Sequence, residues 1–299
     1  MDAITLDQFT VFMTIIEEGS FAAAARKLGR AQSAITYAIQ KLEHQSGVAL
    51  FDRASYRPTL TDQGRALLPR IRRIIDDVSD FRVQVQGMAQ GIETELILVI
   101  DNFLPLSLIA PALEKFHTAF PMVQLRINAV WTHDAKHHLV EGHADLGVFL
   151  LNPTAPSELE NKVIANIDLV VVAAPNHPLV ELSPGFPREE MQDHLQIVVS
   201  NPSLAGDVNA YGVVGVNQWR VSEVRLRHNL IVAGIGWGSM PRPMVEAEIE
   251  RGELVILEPA QWDSSDTMPR ITTVIAKCRD KALGPAATFL MDEISAKAH

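Results

Sequence analysis

The stretch GSFAAAARKLGRAQSAITYAIQKLE, residues 19–43, constrains this chain more than any other. Gly19 stops a run in which Leu6, Phe9, Phe12, Ile15 and Ile16 recur at helical spacing. Ser20 can cap the helix that follows, Phe21–Leu28. Its alanines remove side-chain bulk, so another helix can cross close by, and Gly29 permits the left-handed turn that ends it. A third helix runs from about Ala31 to Ser46, with Ile35, Ile39 and Leu42 as its buried stripe. Gln32, Ser33, Thr36, Tyr37, Gln40 and Lys41 lie mostly on the opposite face. Two short helices around a glycine turn, the second with a polar outward half, predict a helix-turn-helix. Gln, Ser and Thr on that face can hydrogen-bond base edges in a major groove. Arg26, Lys27, Arg30 and Lys41 can neutralise phosphates.

Charge supports this reading only when the chain is divided. The net charge is −10, yet residues 1–73 hold ten Lys/Arg against seven Asp/Glu, a net of +3. The remainder is strongly acidic, so a basic head precedes an acidic body. After the third helix, GVALFDRASYRPTLT reads as strand, turn, strand with Arg53 and Arg57 at the tip. Such basic wings meet the DNA backbone or minor groove.

On the residues 19–43, on LFDRASYRPTLTDQG, and on the architecture after them, the chain resembles the LysR-type transcriptional regulators over its whole length. The resemblance implies that Gln32, Ser33, Thr36 and Tyr37 occupy recognition-helix positions and Arg53 the wing arginine. Two positions depart from the family pattern. Ser33 stands where the family usually has proline, and Tyr56 where it often has a second wing arginine, whose phosphate contact Arg57 can take over.

Thr61 can cap a long helix through residues 62–91. Leu67, Ile71, Ile74, Val78, Phe81, Val85 and Met88 alternate in gaps of four and three, a heptad seam that predicts a two-helix dimer contact. Pro69 is expected to kink its second turn. Dimers of this kind read two half-sites related by a two-fold axis, and the resemblance implies tetramers spanning two such sites. Gly87 and Gly91 bracket the expected hinge.

From residue 92 the pattern changes to apolar runs alternating with helices. The expected strands are ELILVI, QLRINAV, DLGVFL, DLVVVAA, QIVVS, RVSEV, ELVILE and RITTVIA. The expected helices are 106–120, 134–141, 226–233, 244–251 and one from about Pro285. This alternation predicts a mostly parallel, doubly wound sheet with ligands beyond the strands' carboxyl ends. The resemblance makes this an α/β effector domain like a periplasmic binding protein, with subdomain I at 92–162 and 268–299 and subdomain II at 163–267. Asp101, Asn102 and Phe103 then follow the first strand, Trp131 and Thr132 the second, and Asn201, Pro202 and Ser203 the strand QIVVS of the other subdomain. These are the positions where the family binds small molecules. Asp101 disfavours a simple carboxylate beside it, while Phe103 and Trp131 favour an apolar or aromatic effector.

Other chemistry ranks lower. His133, His137 and Glu141 share one helix face at metal-capable spacing, but no H-E-x-x-H arrangement accompanies them, so no metal is expected. AGIGWGSMP, residues 233–241, lacks the strand–GxGxxG–helix order and reads as a tight helix-to-strand turn. G-x-S-x-G, Walker A and Cys-x-x-Cys motifs are absent, and neither an enzyme nor a cofactor is expected. A lone cysteine, Cys278, suits a reducing compartment. The first 20 residues carry no basic n-region, and no apolar run approaches the ~18–20 residues that span a bilayer. The expected molecule is therefore a cytoplasmic regulator that binds pseudo-palindromic promoter DNA through residues 1–60. Residues 61–91 join its copies, and residues 92–299 respond to a small molecule. An activator would also meet RNA polymerase. The alternatives are a small-molecule or metal-binding protein whose N-terminal helices make only protein contacts, and an enzyme in the α/β body.

Overall fold

The computed structural model describes residues 4–52, 58–151, 158–200, 213–262 and 270–296. The chain forms two compact units, Met1–Gln90 and Gly91–His299.

The first unit holds α1 (Leu6–Glu18), α2 (Phe21–Leu28), α3 (Gln32–Ser46), the short strands β1 (Phe51–Asp52) and β2 (Thr59–Leu60), and α4 (Asp62–Ala89). Caps set the helix ends. Thr5 and Gln8 form a reciprocal capping box on α1, and Ser20 accepts the Ala23 N–H of α2 at 3.1 Å. Gly19 (φ 73°) and Gly29 (φ 65°) turn the chain left-handed between helices, where a side chain would strain. Ala24 and Ala25 are buried at the crossing, packed among Val11, Phe12, Ile15, Ile35, Ile39 and Leu42. The wing strands pair antiparallel, Phe51 opposite Leu60.

Helix α4 is continuous through Pro69, although the ring removes one internal hydrogen bond. It begins at Thr61, whose hydroxyl donates to the Ala49 carbonyl at 2.6 Å and accepts the Gly64 N–H at 2.9 Å. Its proximal part corrects the heptad reading. Ile71 is buried in the helix-turn-helix core, and Leu67, Leu68 and Ile75 pack against that core. Leu67 and Ile71 therefore face their own domain. Three-and-four spacing serves an intradomain helix as well as a coiled coil.

The second unit runs β3 (Glu95–Asp101), α5 (Ala110–Ala119), β4 (Gln124–Val130), α6 (Thr132–Val140), β5 (Leu146–Leu150), β6 (Leu159–Ala173), β7 (Gln196–Val199), β8 (Gln218–Val221), α7 (Val224–Val232), β9 (Gly238–Pro241), α8 (Glu246–Glu250), β10 (Val255–Leu257), β11 (Arg270–Cys278) and α9 (Pro285–Ser295). A seven-stranded sheet has the order β10-β6-β11-β5-β3-β4, with β9 also on β6. Among the described residues, only β3–β4 and β3–β5 are parallel in that sheet. The expectation of a mostly parallel sheet is corrected here, because β6 and β11 return antiparallel. β6 pairs with β11 through residues 159–168 and with β9 and β10 through residues 169–173. β7 and β8 pair parallel, and β7 bridges to Trp237 just before β9. One core lies between the first half of the sheet and α5 and α9, around Leu98, Phe116, Val148 and Leu290. α6 covers the opposite face over Val99, Phe149 and Val274. A third core gathers Val172, Ile197, Val199, Ile231 and Met240 beside α7.

Candidate DNA-reading face and effector site

Helix α3 carries the candidate DNA face. Its stripe of Ile35, Ile39 and Leu42 is fully buried, which fixes the helix and turns Gln32, Ser33 and Tyr37 outward. Tyr37 is 66% exposed, unusual for a large ring without a partner surface. The Thr36 hydroxyl donates to the Gln32 carbonyl at 3.0 Å. No side chain caps the helix at Ala31. Arg30 forms a bidentate pair with Asp7 of α1, at 2.8 and 2.9 Å. The hydrogen bond and the charge of Asp7 raise the arginine's pKa. Arg30 therefore reaches a phosphate only by sharing or leaving Asp7. Lys41 is half-buried beside the core stripe. Arg53 and Arg57 fall outside the described residues.

In the second unit, β3 and β4 end side by side, and their ends carry the predicted effector residues. Asp101 is 2% exposed. One oxygen accepts the Phe103 N–H at 2.7 Å, and the other accepts the Thr132 hydroxyl. Burial pushes the Asp101 carboxyl above the usual carboxylate range, against the pull of these hydrogen bonds. Asp101 and Thr132 thus brace the end of β3 to the start of α6. The Asn102 N–H extends the ladder to the Val130 carbonyl at 3.0 Å. Phe103 and Trp131, ring centroids 6.4 Å apart, pack against the core beside α7. Both rings are half-buried. Asn201, Pro202 and Ser203 fall outside the described residues.

Comparison with known proteins separates the readings. Residues 6–65 match the model of the bacterial regulatory helix-turn-helix protein, lysR family, and residues 89–298 match the LysR substrate binding domain. A probable HTH-type transcriptional regulator of Escherichia coli K12, YhaJ, is 30% identical over 98% of this chain and 96% of its own. This chain belongs to the LysR family. It is a LysR-type transcriptional regulator with an effector-binding domain, and its relatives are regulators rather than enzymes. The regulator AceR of Acinetobacter baumannii is 26% identical over 98% of this chain and 97% of its own. The structure of CrgA, a LysR regulator of Neisseria meningitidis, shares the fold at a TM-score of 0.55, with 22% identity over 98% of this chain and 99% of that one.

Within this LysR chain the outer part of α4 stays uncovered. Ile74, Phe81, Val85 and Met88 are exposed and Val78 is half-buried. At the C-terminal end of α6, Glu141 stands 3.2 Å from His137 and 3.4 Å from His143, and His133 in the first turn is exposed. Among the described residues, no group of three His, Cys, Asp or Glu side chains is arranged to hold a metal ion. No described helix is long and apolar enough to cross a membrane. Two residues were missed in the sequence. Glu43 ties α3 to the wing, and Arg227 lies buried on α7. The second carried a signal, since Val224, Arg227 and Ile231 follow helical core spacing with a cation at the centre.

Proposed function

We propose that this LysR regulator reads pseudo-palindromic promoter DNA as a cytoplasmic dimer or tetramer. A small effector held beyond the ends of β3, β4 and β7 then alters its subunit arrangement. The observation that carries the DNA reading is the rigidly seated, outward polar half of α3. Gln32, Ser33, Thr36 and Tyr37 read bases there, while Arg30, Lys41, Arg53 and Arg57 neutralise phosphates. The apolar stripe from exposed Ile74 through half-buried Val78 to exposed Phe81 and Val85 joins two copies. Residues 1–60, 61–91 and 92–299 act as reader, connector and sensor. Within the sensor, 92–162 with 268–299 and 163–267 form the two lobes. The effector acts by binding one arrangement better than another. As an activator, the assembly would contact RNA polymerase.

The test is binding of the purified chain to its own upstream DNA against random competitor, across salt concentration. Preference for the upstream fragment, with affinity falling steeply as salt rises, supports the reading. Equal binding to random DNA removes the base-reading role.

A further inference from the structure

Arg227 is 4% exposed, and its Nε and Nη2 are buried without a hydrogen-bond partner. It stands between Val224 and Ile231 on the buried stripe of α7. Its guanidinium carbon lies 5.0 Å from the ring centroid of Phe103, which in turn meets Trp131. Burial pulls its pKa down to about 9, so the group remains charged at neutral pH. Among the described residues, no carboxylate is paired with Arg227. Asp101 holds Thr132 and the Phe103 N–H, and Glu248 binds Arg251 and faces His228 at 3.7 Å. A buried cation is strongly unfavourable unless an anion or several acceptors meet it. The Phe103 ring face offsets part of that cost but accepts no directed hydrogen bond.

We propose that Arg227 is the anion-recognising residue of the effector site, and that the effector is a monoanionic carboxylate on an aryl or alkyl body. The proposal rests on the reading of this unit as a sensor with its ligand beyond the strand ends. A planar carboxylate can accept from Nε and Nη2 together, the paired geometry that a guanidinium offers. One guanidinium balances one negative charge, which favours a monoanion over a phosphate dianion. Phe103 and Trp131 give the apolar body a surface on which to lie. At the end of β3 both Asp101 oxygens already accept hydrogen bonds, and neither offers a carboxylate a positive partner. Arg227 instead receives it from α7.

The test uses the full chain and follows tryptophan fluorescence during titration with phenylacetate, 3-phenylpropionate and hexanoate, each against its neutral amide. At least one carboxylate should bind saturably, about tenfold or more tighter than its amide, because a charge-assisted bidentate contact is lost in the amide. Arg227→Gln should reduce that carboxylate to the level of its amide. Ligand-free Arg227→Met should melt higher than wild type, since it removes an unpaired buried charge. Equal binding of acid and amide, a preference that survives Arg227→Gln, no saturable binding in the series, or a lower melting point of Arg227→Met would each overturn the proposal. The preference of wild-type protein for its upstream DNA is measured in the same preparation. Its absence beside intact carboxylate selectivity removes the proposed reading of upstream DNA and leaves the ligand site standing.

Discussion

One oxygen of the Glu43 carboxylate, on α3, accepts the backbone N–H of both Leu50 and Phe51, at 2.8 and 3.1 Å. The candidate DNA-reading helix and the first strand of the wing are therefore tied through this side chain. Phe51 also anchors the aromatic contacts with Phe12 and Phe21, at 5.3 and 5.4 Å. Glu43→Ala leaves two backbone donors without their acceptor and should cost about 1–3 kcal/mol. Glu43→Gln keeps an acceptor and should cost less. Urea unfolding of both variants checks the order.

Gly64 tests the seat of α4 against the wing. A β-carbon there would meet the Leu50 carbonyl oxygen at 2.3 Å and a Leu60 methyl at 3.0 Å. The nearer atom belongs to the backbone, so the helix start must shift. Gly64→Ala should therefore destabilise the first unit by about 1–3 kcal/mol, the cost of overpacking, despite alanine's better helix propensity. A melting point equal to wild type would refute the close approach.

Helix α4 divides into two parts that substitution can separate. Ile74→Glu with Val78→Glu should leave each copy folded and lower the mass seen by light scattering to that of one chain. Ile71→Glu buries a charge in the core and should unfold the first unit instead, seen by loss of cooperative melting. Unchanged mass in the first variant would exclude the exposed stripe as the joining surface.

The proposed base-reading face predicts a selective loss. Gln32→Ala and Thr36→Ala should each weaken binding to the preferred DNA by about 1–3 kcal/mol while sparing random DNA. Competition binding on both DNAs distinguishes this from a general loss, which would assign these residues to the backbone.

Asp101 makes stability depend on pH. Burial raises its folded pKa above the unfolded value, so the folded chain holds the proton more firmly. Its contribution is fully present below the unfolded carboxylate pKa of about 4 and is lost as pH rises through the folded pKa. Asp101→Asn should remove this dependence and keep a partner for both Phe103 and Thr132. Asp101→Ala should cost about 1–3 kcal/mol at low pH, because two donors lose their acceptor, and less as pH rises through the folded pKa. Parallel pH profiles for wild type and Asp101→Asn would contradict the raised pKa.

The helix-turn-helix was legible because its signals are local: apolar residues at helical spacing, a serine cap, and glycines where the chain must turn left-handed. The connector was legible only in part. Leu67 and Ile71 belong to the same repeat as Ile74 and Phe81, and nothing in the repeat says which members face their own domain. In the body, strands buried on both faces announced themselves, as in DLVVVAA. The first part of β6, LENKVIANID, did not, since half its residues are polar and Glu160, Asn161, Lys162 and Val163 all face solvent. Of the candidate effector site, Phe103 and Trp131 were named from the strand ends. Arg227 was passed over because a lone arginine in a helix is ordinarily a solvated one.

The continuity of β6 carries a mechanical consequence. One strand supplies hydrogen bonds to β11 up to Asp168 and to β9 and β10 from Leu169 onward. Rotating one half of the sheet against the other must therefore be absorbed as torsion in the backbone around Ile167–Leu169, not as the free swing of a loop. Torsion in a hydrogen-bonded ribbon is stiff, so small rotations carry appreciable energy. In the proposed sensor role, a ligand's grip would pass from one half of the sheet to the other as twist along this shared axle.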